Sequence, residues 1–240
     1  MSYLEKEVNR LVGKAIHNYH LLDHGDRIMV AVSGGADSML CLWFLRHWLR
    51  KAPISYEIIP VHLDMGYENR QWQRLAAYFR RLGFTFHIEE TRYGLVAHGP
   101  ENRGKSPCFI CSMNRRKRLF ELADAFGCNK IAMGHNADDL IETFFMNVFY
   151  VGEMSTMIPS QEMFQGLITI IRPLALVEKP KIRKMVRRLR LPVIENACPS
   201  EKHSRRSDIR DMLEGLYASN RKIRGNIKRA LGNVRQDYLL

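Results

Sequence analysis

The chain has 240 residues, 46% of them hydrophobic, and a formal charge of +12 from 37 Lys and Arg against 25 Asp and Glu. That length buries a sizeable core, no apolar stretch approaches the roughly 20 residues that cross a bilayer, and MSYLEKEVNR lacks the apolar segment of a secretory signal. A membrane partner is therefore not expected, the cytoplasm is the expected compartment, and the positive excess draws polyanions, nucleic acid first.

In chain order, residues 3–19 read as an amphipathic helix, RIMVAV (27–32) as a buried strand, 37–50 as a helix and YEIIPVHL (56–63) as a second strand. Residues 70–82 read as a helix, FTFHIE (84–89) as an alternating strand, 109–126 as a helix, NKIAM (129–133) as a short strand and 137–149 as a helix. After Pro173 the pattern turns helical and basic near 178–190, 207–218 and 221–232. Alternating strands and helices predict an α/β fold with a largely parallel sheet and helices on both faces, whose chemistry lies beyond the C-terminal ends of the strands. The expected organisation is an N-terminal helix (1–20), an α/β domain (21–175) and a basic, mostly helical C-terminal region (176–240). Any one basic stretch is as readily a solvated helix face. Three within a third of the chain favour a phosphate-binding surface.

The loop after the first strand is Ser33-Gly34-Gly35-Ala36-Asp37-Ser38. Glycines let the backbone approach a ligand and aim its N–H groups at an anion, and the serines add hydroxyl donors. The spacing fits neither a Walker A motif nor GxGxxG. Two adjacent glycines alone would describe a tight turn with Asp37 at a helix start. After the fourth strand comes Gly134-His135-Asn136-Ala137-Asp138-Asp139, continuing to Glu142-Thr143. Two neighbouring carboxylates on the same sheet edge suit magnesium, a hard cation with oxygen ligands; they equally suit a helix N-terminus.

Five cysteines, odd in number and unevenly spaced, do not describe a disulfide framework. Cys41, in MLCLWFL, and Cys128 read as buried thiols. Cys108 and Cys111 stand one turn apart at a helix start, and Cys198 is the third candidate ligand. A redox pair, a zinc site completed by His98 or His203, and an iron–sulfur cluster are the alternatives, zinc ranking below the cluster because it normally closes four protein ligands.

Ser-Gly-Gly-x-Asp-Ser after a buried strand resembles the PP-loop of the ATP pyrophosphatase superfamily, and GHNADDLIET resembles the GHxxDDxxET signature of its tRNA-modifying branch. With the internal Cys-x-x-Cys and a later lone cysteine, the chain resembles the tRNA 2-thiocytidine synthetase family from about residue 25 to about 215. The resemblance implies a Rossmann-like, adenine nucleotide alpha hydrolase-like domain. It also implies cleavage of ATP between its α and β phosphates with AMP passed to the C2 oxygen of a pyrimidine, cytidine first, which sulfur then replaces. It assigns ATP to Ala31, Ser33, Gly34, Gly35, Asp37, Ser38, Leu63, Gly134 and His135. Mg2+ goes near Asp37, Asp138 or Asp139, and a [4Fe-4S] cluster with one iron free of protein ligands goes to Cys108, Cys111 and Cys198. Catalytic roles fall to Asp37, Ser38, Arg115, Asp138 and Asp139. The implied partners are tRNA and a sulfur donor, a cysteine desulfurase or sulfide; a homodimer is compatible with this reading. Two features depart from the family: Cys198 stands where a second Cys-x-x-Cys is usual, as in the thiouridine branch, and Ala36 replaces a common lysine. The alternatives are an adenylating ligase that forms lysidine or an amide without a cluster, and a basic RNA-binding module with a vestigial ATP site.

Overall fold

Arg27–Ala31 (β1) is apolar on both faces, with Ile28, Met29 and Val30 fully buried, and such a strand is stable only in the middle of a covered parallel sheet. It pairs in parallel with β2 (Glu57–Asp64) on one side and β4 (Lys130–Met133) on the other, so that Met29 stands level with Ile59 and Ile131. In the computed structural model, which describes residues 2–67, 71–100, 102–194, 197–200 and 204–238, β3 (His87–Glu90) extends the sheet beyond β2, and β6 (Ile168–Ile171) extends it beyond β4. The hairpin partner β5 (Ser160–Met163) closes the edge, giving the order β3-β2-β1-β4-β6-β5. The start of the 70–82 helix expectation, Asn196 and His203 lie outside the described residues.

Helices cover both faces. Toward one face, α1 (Tyr3–Asn18), α2 (Ala36–Leu49) and α3 (Trp72–Arg81) bury Val8, Val12, Leu40, Phe44 and Phe79 against Ile28 and Val30. Toward the other, α5 (Pro107–Ala125), which follows the short α4 (Tyr93–His98), packs Leu119, Leu122 and Ala123 on Met29, Ile59 and Ile131. The parallel α/β architecture expected from the alternation is the one found, with one antiparallel edge strand added: β5 against β6. Between β5 and β6 the chain turns through Phe164, Gln165 and Gly166, all at positive φ (52°, 58° and 88°). Two of these are ordinary L-residues that give no turn signature. The six residues of α4 are too few to show a helical period.

The basic C-terminal third divides. After α6 (Ala137–Tyr150) and the hairpin, α7 (Lys179–Leu189) inserts Ile182, Met185 and Val186 into the main core beside α2. Then α8 (Arg205–Ser219), capped by Ser204, and α9 (Lys222–Ala230) lie on α6 through a small separate cluster built on Ile141, Ile209 and Leu213. No helix among the described residues is long and apolar enough to cross a membrane.

Two sheet-edge loops meet at Gly134: a Cβ there would stand 2.7 Å from Ser38 N and 2.8 Å from Asp37 C, both backbone atoms with no freedom to yield. Gly134→Ala is therefore expected to destabilise the fold by roughly 1–3 kcal/mol through overpacking. Urea unfolding measures this, and an unchanged midpoint would contradict the close approach.

Candidate nucleotide and thiol site

The loop leaving β1 reaches α2 through Gly34, at φ +88°, and Gly35, the helix N-cap. No side chain caps α2, so the N–H groups of its first turn stay open to an anion. Hydroxyls organise the loop: Ser38 Oγ donates to Gly35 O at 3.0 Å, which leaves Ser33 Oγ to donate to Ser38 Oγ at 3.1 Å. The start of α6 is the opposite case. Asn136 accepts from the N–H groups of Asp138 and Asp139, and the Asp139 carboxylate accepts from Asn136 N at 2.9 Å, a closed capping box.

A cavity of about 330 Å³ opens between this loop, the end of β2 and the first half of α5. Ala31, Ser33 and Gly35 line it together with Leu63, Asp64, Met65 and Tyr67 from β2 and the loop after it, Arg115 from α5, and Ala197. Arg115 is exposed and lines this cavity. Buried His62 donates from Nδ1 to Val32 O at 2.7 Å; burial holds its pKa below the ordinary imidazole value and keeps it neutral.

The acidic residues divide. Asp37 is drawn into the protein beside Asp139; burial first and the Asp139 charge second push its pKa up to about 6, and Oδ1 finds no hydrogen-bond partner. The Asn136 amide lies near enough to oppose that rise, but its Nδ2 also lacks a partner at bonding geometry. Asp138 turns elsewhere: its carboxylate accepts from Lys179 N at 2.7 Å and pairs with Arg224 at 3.3 Å. Of the two neighbouring aspartates only Asp139 is thus placed against Asp37. His135 accepts at Nδ1 from Arg172 Nε at 3.2 Å, and burial together with Arg172 and Arg206 lowers its pKa to about 3.

Pro107 opens α5, and Cys108 and Cys111 follow within its first turn and a half. Cys111 donates to Met65 Sδ at 3.7 Å. Its pKa rises through burial, with Cys198 and Cys108 adding to the rise and Arg115 opposing it, so the three thiols feel one another. Tyr67 stands among them, hydrogen-bonded to Cys198 and, at 3.2 Å, to His98 Nδ1. A Cβ on Gly94 would come within 2.5 Å of the Tyr67 ring, so glycine is needed there to seat the tyrosine. Cys41 and Cys128 are buried in the two cores, as the sequence reading expects. Among the described residues no three His, Cys, Asp or Glu side chains are gathered tightly enough for a single ion. His98 spends Nδ1 on Gly94 O and Tyr67 and Nε2 on Ser200 Oγ at 2.7 Å, which engages both ring nitrogens of the fourth-zinc-ligand candidate that lies among the described residues.

Sequence reasoning did not find Met65, Tyr67, Gly94 or Arg172. The loop after β2 was the available signal for Met65 and Tyr67, because it lies at the strands' C-terminal edge.

The raised pKa of Asp37 fixes a sign. Between about pH 4, its ordinary value, and pH 6 the folded state holds the proton that the unfolded chain releases, so stability falls as pH rises through that window and the loss is complete above it. Asp37→Asn is expected to stabilise the ligand-free protein by roughly 1–3 kcal/mol at pH 7, the gain vanishing below pH 4. Thermal unfolding across pH checks it; a destabilised variant at pH 7 would show that the carboxylate is compensated.

Residues 3–215 match the PP-loop domain family. The tRNA-cytidine(32) 2-sulfurtransferase of Geobacter sulfurreducens is 38% identical over 98% of this chain and 92% of its own length, and that of Syntrophotalea carbinolica 36% over 99% and 92%. Among solved structures, the U34-tRNA thiolase NcsA of Methanococcus maripaludis with its [4Fe-4S] cluster superposes with a TM-score of 0.75 at 21% identity, covering 97% of this chain and 80% of that one. The NH3-dependent NAD synthetase of Campylobacter jejuni gives 0.55 at 14%, covering all of both chains; these two likenesses concern the fold. The chain belongs to the PP-loop family, in the branch that contains the tRNA-cytidine(32) 2-sulfurtransferases.

Proposed function

We propose that this chain is an ATP-dependent tRNA sulfurtransferase of the cytoplasm that adenylates the C2 oxygen of a cytidine and exchanges it for sulfur. The observation that carries the reading is the shared cavity: its lining includes Ser33 and Gly35, at an uncapped helix N-terminus suited to phosphates, and also Met65 and Tyr67, the residues that touch the thiols. Adenylation and sulfur delivery must act on one carbon, and this cavity gives them a common place.

In this reading the open N–H groups of α2, with Ser33 and Ser38, hold the β and γ phosphates and stabilise the charge that grows on pyrophosphate as it leaves. Ala31 and Leu63, which line the cavity, would contact the nucleoside, and neutral His62, held to Val32 O, lines it with them. The pyrimidine C2 oxygen attacks the α phosphorus, the bond to pyrophosphate breaks, and the oxygen then departs with AMP when hydrosulfide adds to C2. Arg115, open to the cavity, offsets negative charge on the transferring phosphate, and neutral His135 can donate only from Nε2, its Nδ1 being occupied by Arg172. Asp37 and Asp139 are the pair that fits Mg2+, given the orphaned Asp37 Oδ1. Cys108, Cys111 and Cys198 are the set that fits a [4Fe-4S] cluster, which when bound supplies an iron without a protein ligand for the incoming sulfur. The donor is free sulfide, or the persulfide of a cysteine desulfurase from which a thiol reductant, itself oxidised to a disulfide, releases hydrosulfide.

Nucleoside mass spectrometry of tRNA incubated anaerobically with reconstituted protein, ATP and sulfide tests the reading, with 2-thiocytidine expected. Cys198→Ala should abolish thiolation and leave pyrophosphate release within about threefold of wild type, whereas Ser38→Ala should lower both by roughly 10- to 1,000-fold, as loss of a phosphate-stabilising group does. Full thiolation by a protein without iron would overturn the cluster's role, and pyrophosphate release with an RNA product that carries no sulfur would overturn the sulfur route and favour a ligase.

A further inference from the structure

Three side chains of the α6 motif face the C-terminal helices. Glu142, only 3% exposed, receives a fork from Arg210 of α8: Nε to Oε1 at 2.8 Å and Nη2 to Oε2 at 3.1 Å. Asp138 pairs with Arg224 of α9, and Thr143 Oγ1 accepts from Arg206 at 3.4 Å. Asp138, Glu142, Arg210 and Arg224 line a second, polar cavity of about 50 Å³, at whose wall the Tyr217 hydroxyl and Arg224 Nε are buried without hydrogen-bond partners, and the Arg224 guanidinium lies 4.3 Å over the Tyr217 ring.

Apolar attachment of this layer is thin. Ile209 and Leu213 are the buried apolar residues that α8 contributes, and α9 has no buried residue. Buried charge pairs therefore decide where these helices sit: a carboxylate as enclosed as Glu142 is costly unless its arginine is in place. The same α6 begins against the phosphate loop, through Gly134 on Ser38 and Asp139 beside Asp37.

We propose that the α6 carboxylates form an RNA-responsive latch. Glu142 and Asp138 hold α8 and α9 in register with the phosphate loop. An RNA backbone seated on the outward cations Arg205, Arg221, Lys222 and Arg229 binds the latched arrangement more tightly, because only there are those cations fixed relative to the cavity. Adenylation then proceeds when substrate RNA is bound, and ATP is spared otherwise. The inference rests on the proposed RNA-dependent adenylation and names Glu142, Asp138, Arg210 and Arg224 as positioning residues.

Pyrophosphate release is measured with and without unmodified tRNA on the anaerobically reconstituted full chain, as wild type, Arg210→Gln, Glu142→Gln, the double variant and Arg210→Lys. Because tRNA is itself the acceptor of AMP, its stimulation of the wild type follows with or without a latch; the latch predicts that at saturating tRNA the wild type releases pyrophosphate about 5- to 150-fold faster than Arg210→Gln, the range of ordinary site coupling. Arg210→Gln should lose most of that stimulation while ATP affinity without RNA stays within about twofold, Arg210→Lys should regain part, and the double variant should be no worse than the worse single one. Amide hydrogen exchange on the wild type gives a readout that needs no variant: tRNA should protect α8 and also the first turn of α2. Stimulation retained in Arg210→Gln, an equal loss with and without RNA, or protection of α8 with no change at α2 would each overturn the latch. If tRNA is not thiolated yet stimulation depends on Arg210, the sulfur reading fails and the latch stands.

Discussion

One backbone hydrogen bond constrains the rest of the site: Ile194 N–H donates to Gly34 O at 3.0 Å. It ties the stretch leading to Cys198 onto the loop that offers its amides to phosphate, and the contact is close enough that a side chain on Gly34 would stand 2.1 Å from Ile194. Glycine at position 34 thus serves two ends, the positive φ that shapes the loop and the room for the segment lying across it. A cysteine almost 90 residues from its partners in the chain is brought to them by this anchoring, with Tyr67 meeting it from the loop after β2.

Charge is arranged around that anchor with different purposes on the two sides. The cavity side is poor in compensation: Asp37 is forced beside Asp139 without a bonding partner at Oδ1, and buried Arg172 bonds His135, Ile158 O and Gln161 rather than a carboxylate. Uncompensated groups of this kind cost stability in the empty protein and gain it back when a ligand of opposite charge arrives. On the far side of α6 the carboxylates are paired, Glu142 with Arg210 and Asp138 with Arg224 and Lys179 N. The two adjacent aspartates of one helix therefore meet different surroundings, Asp139 beside Asp37 and Asp138 against Arg224 and Lys179 N.

Much of this was legible in the sequence, for physical reasons. Strands such as RIMVAV are apolar on both faces and state their own burial, and the loop Ser33–Ser38 is local, so its residue types describe its backbone directly. Cys108 and Cys111 are fixed by one helical turn. What could not be read depends on partners far away in the chain. Nothing in Asp138-Asp139 says that the first meets Arg224 and the second Asp37. The β5–β6 hairpin escaped because Phe164 and Gln165 take positive φ without glycine, and α7 read as basic surface because its apolar stripe, Ile182, Met185 and Val186, is narrow among seven cationic side chains between 179 and 190.

The central claim is spatial: nucleotide and cluster open onto one cavity. A crystal structure of the anaerobically reconstituted protein with a non-hydrolysable ATP analogue, phased with iron anomalous scattering, measures it directly. The account predicts iron density joined to Cys108, Cys111 and Cys198 beside Tyr67, with the analogue's phosphates on the first turn of α2 and the space between them continuous. Iron bound to Cys108 and Cys111 without Cys198, or a cluster facing a surface that the nucleotide cavity does not reach, would contradict it.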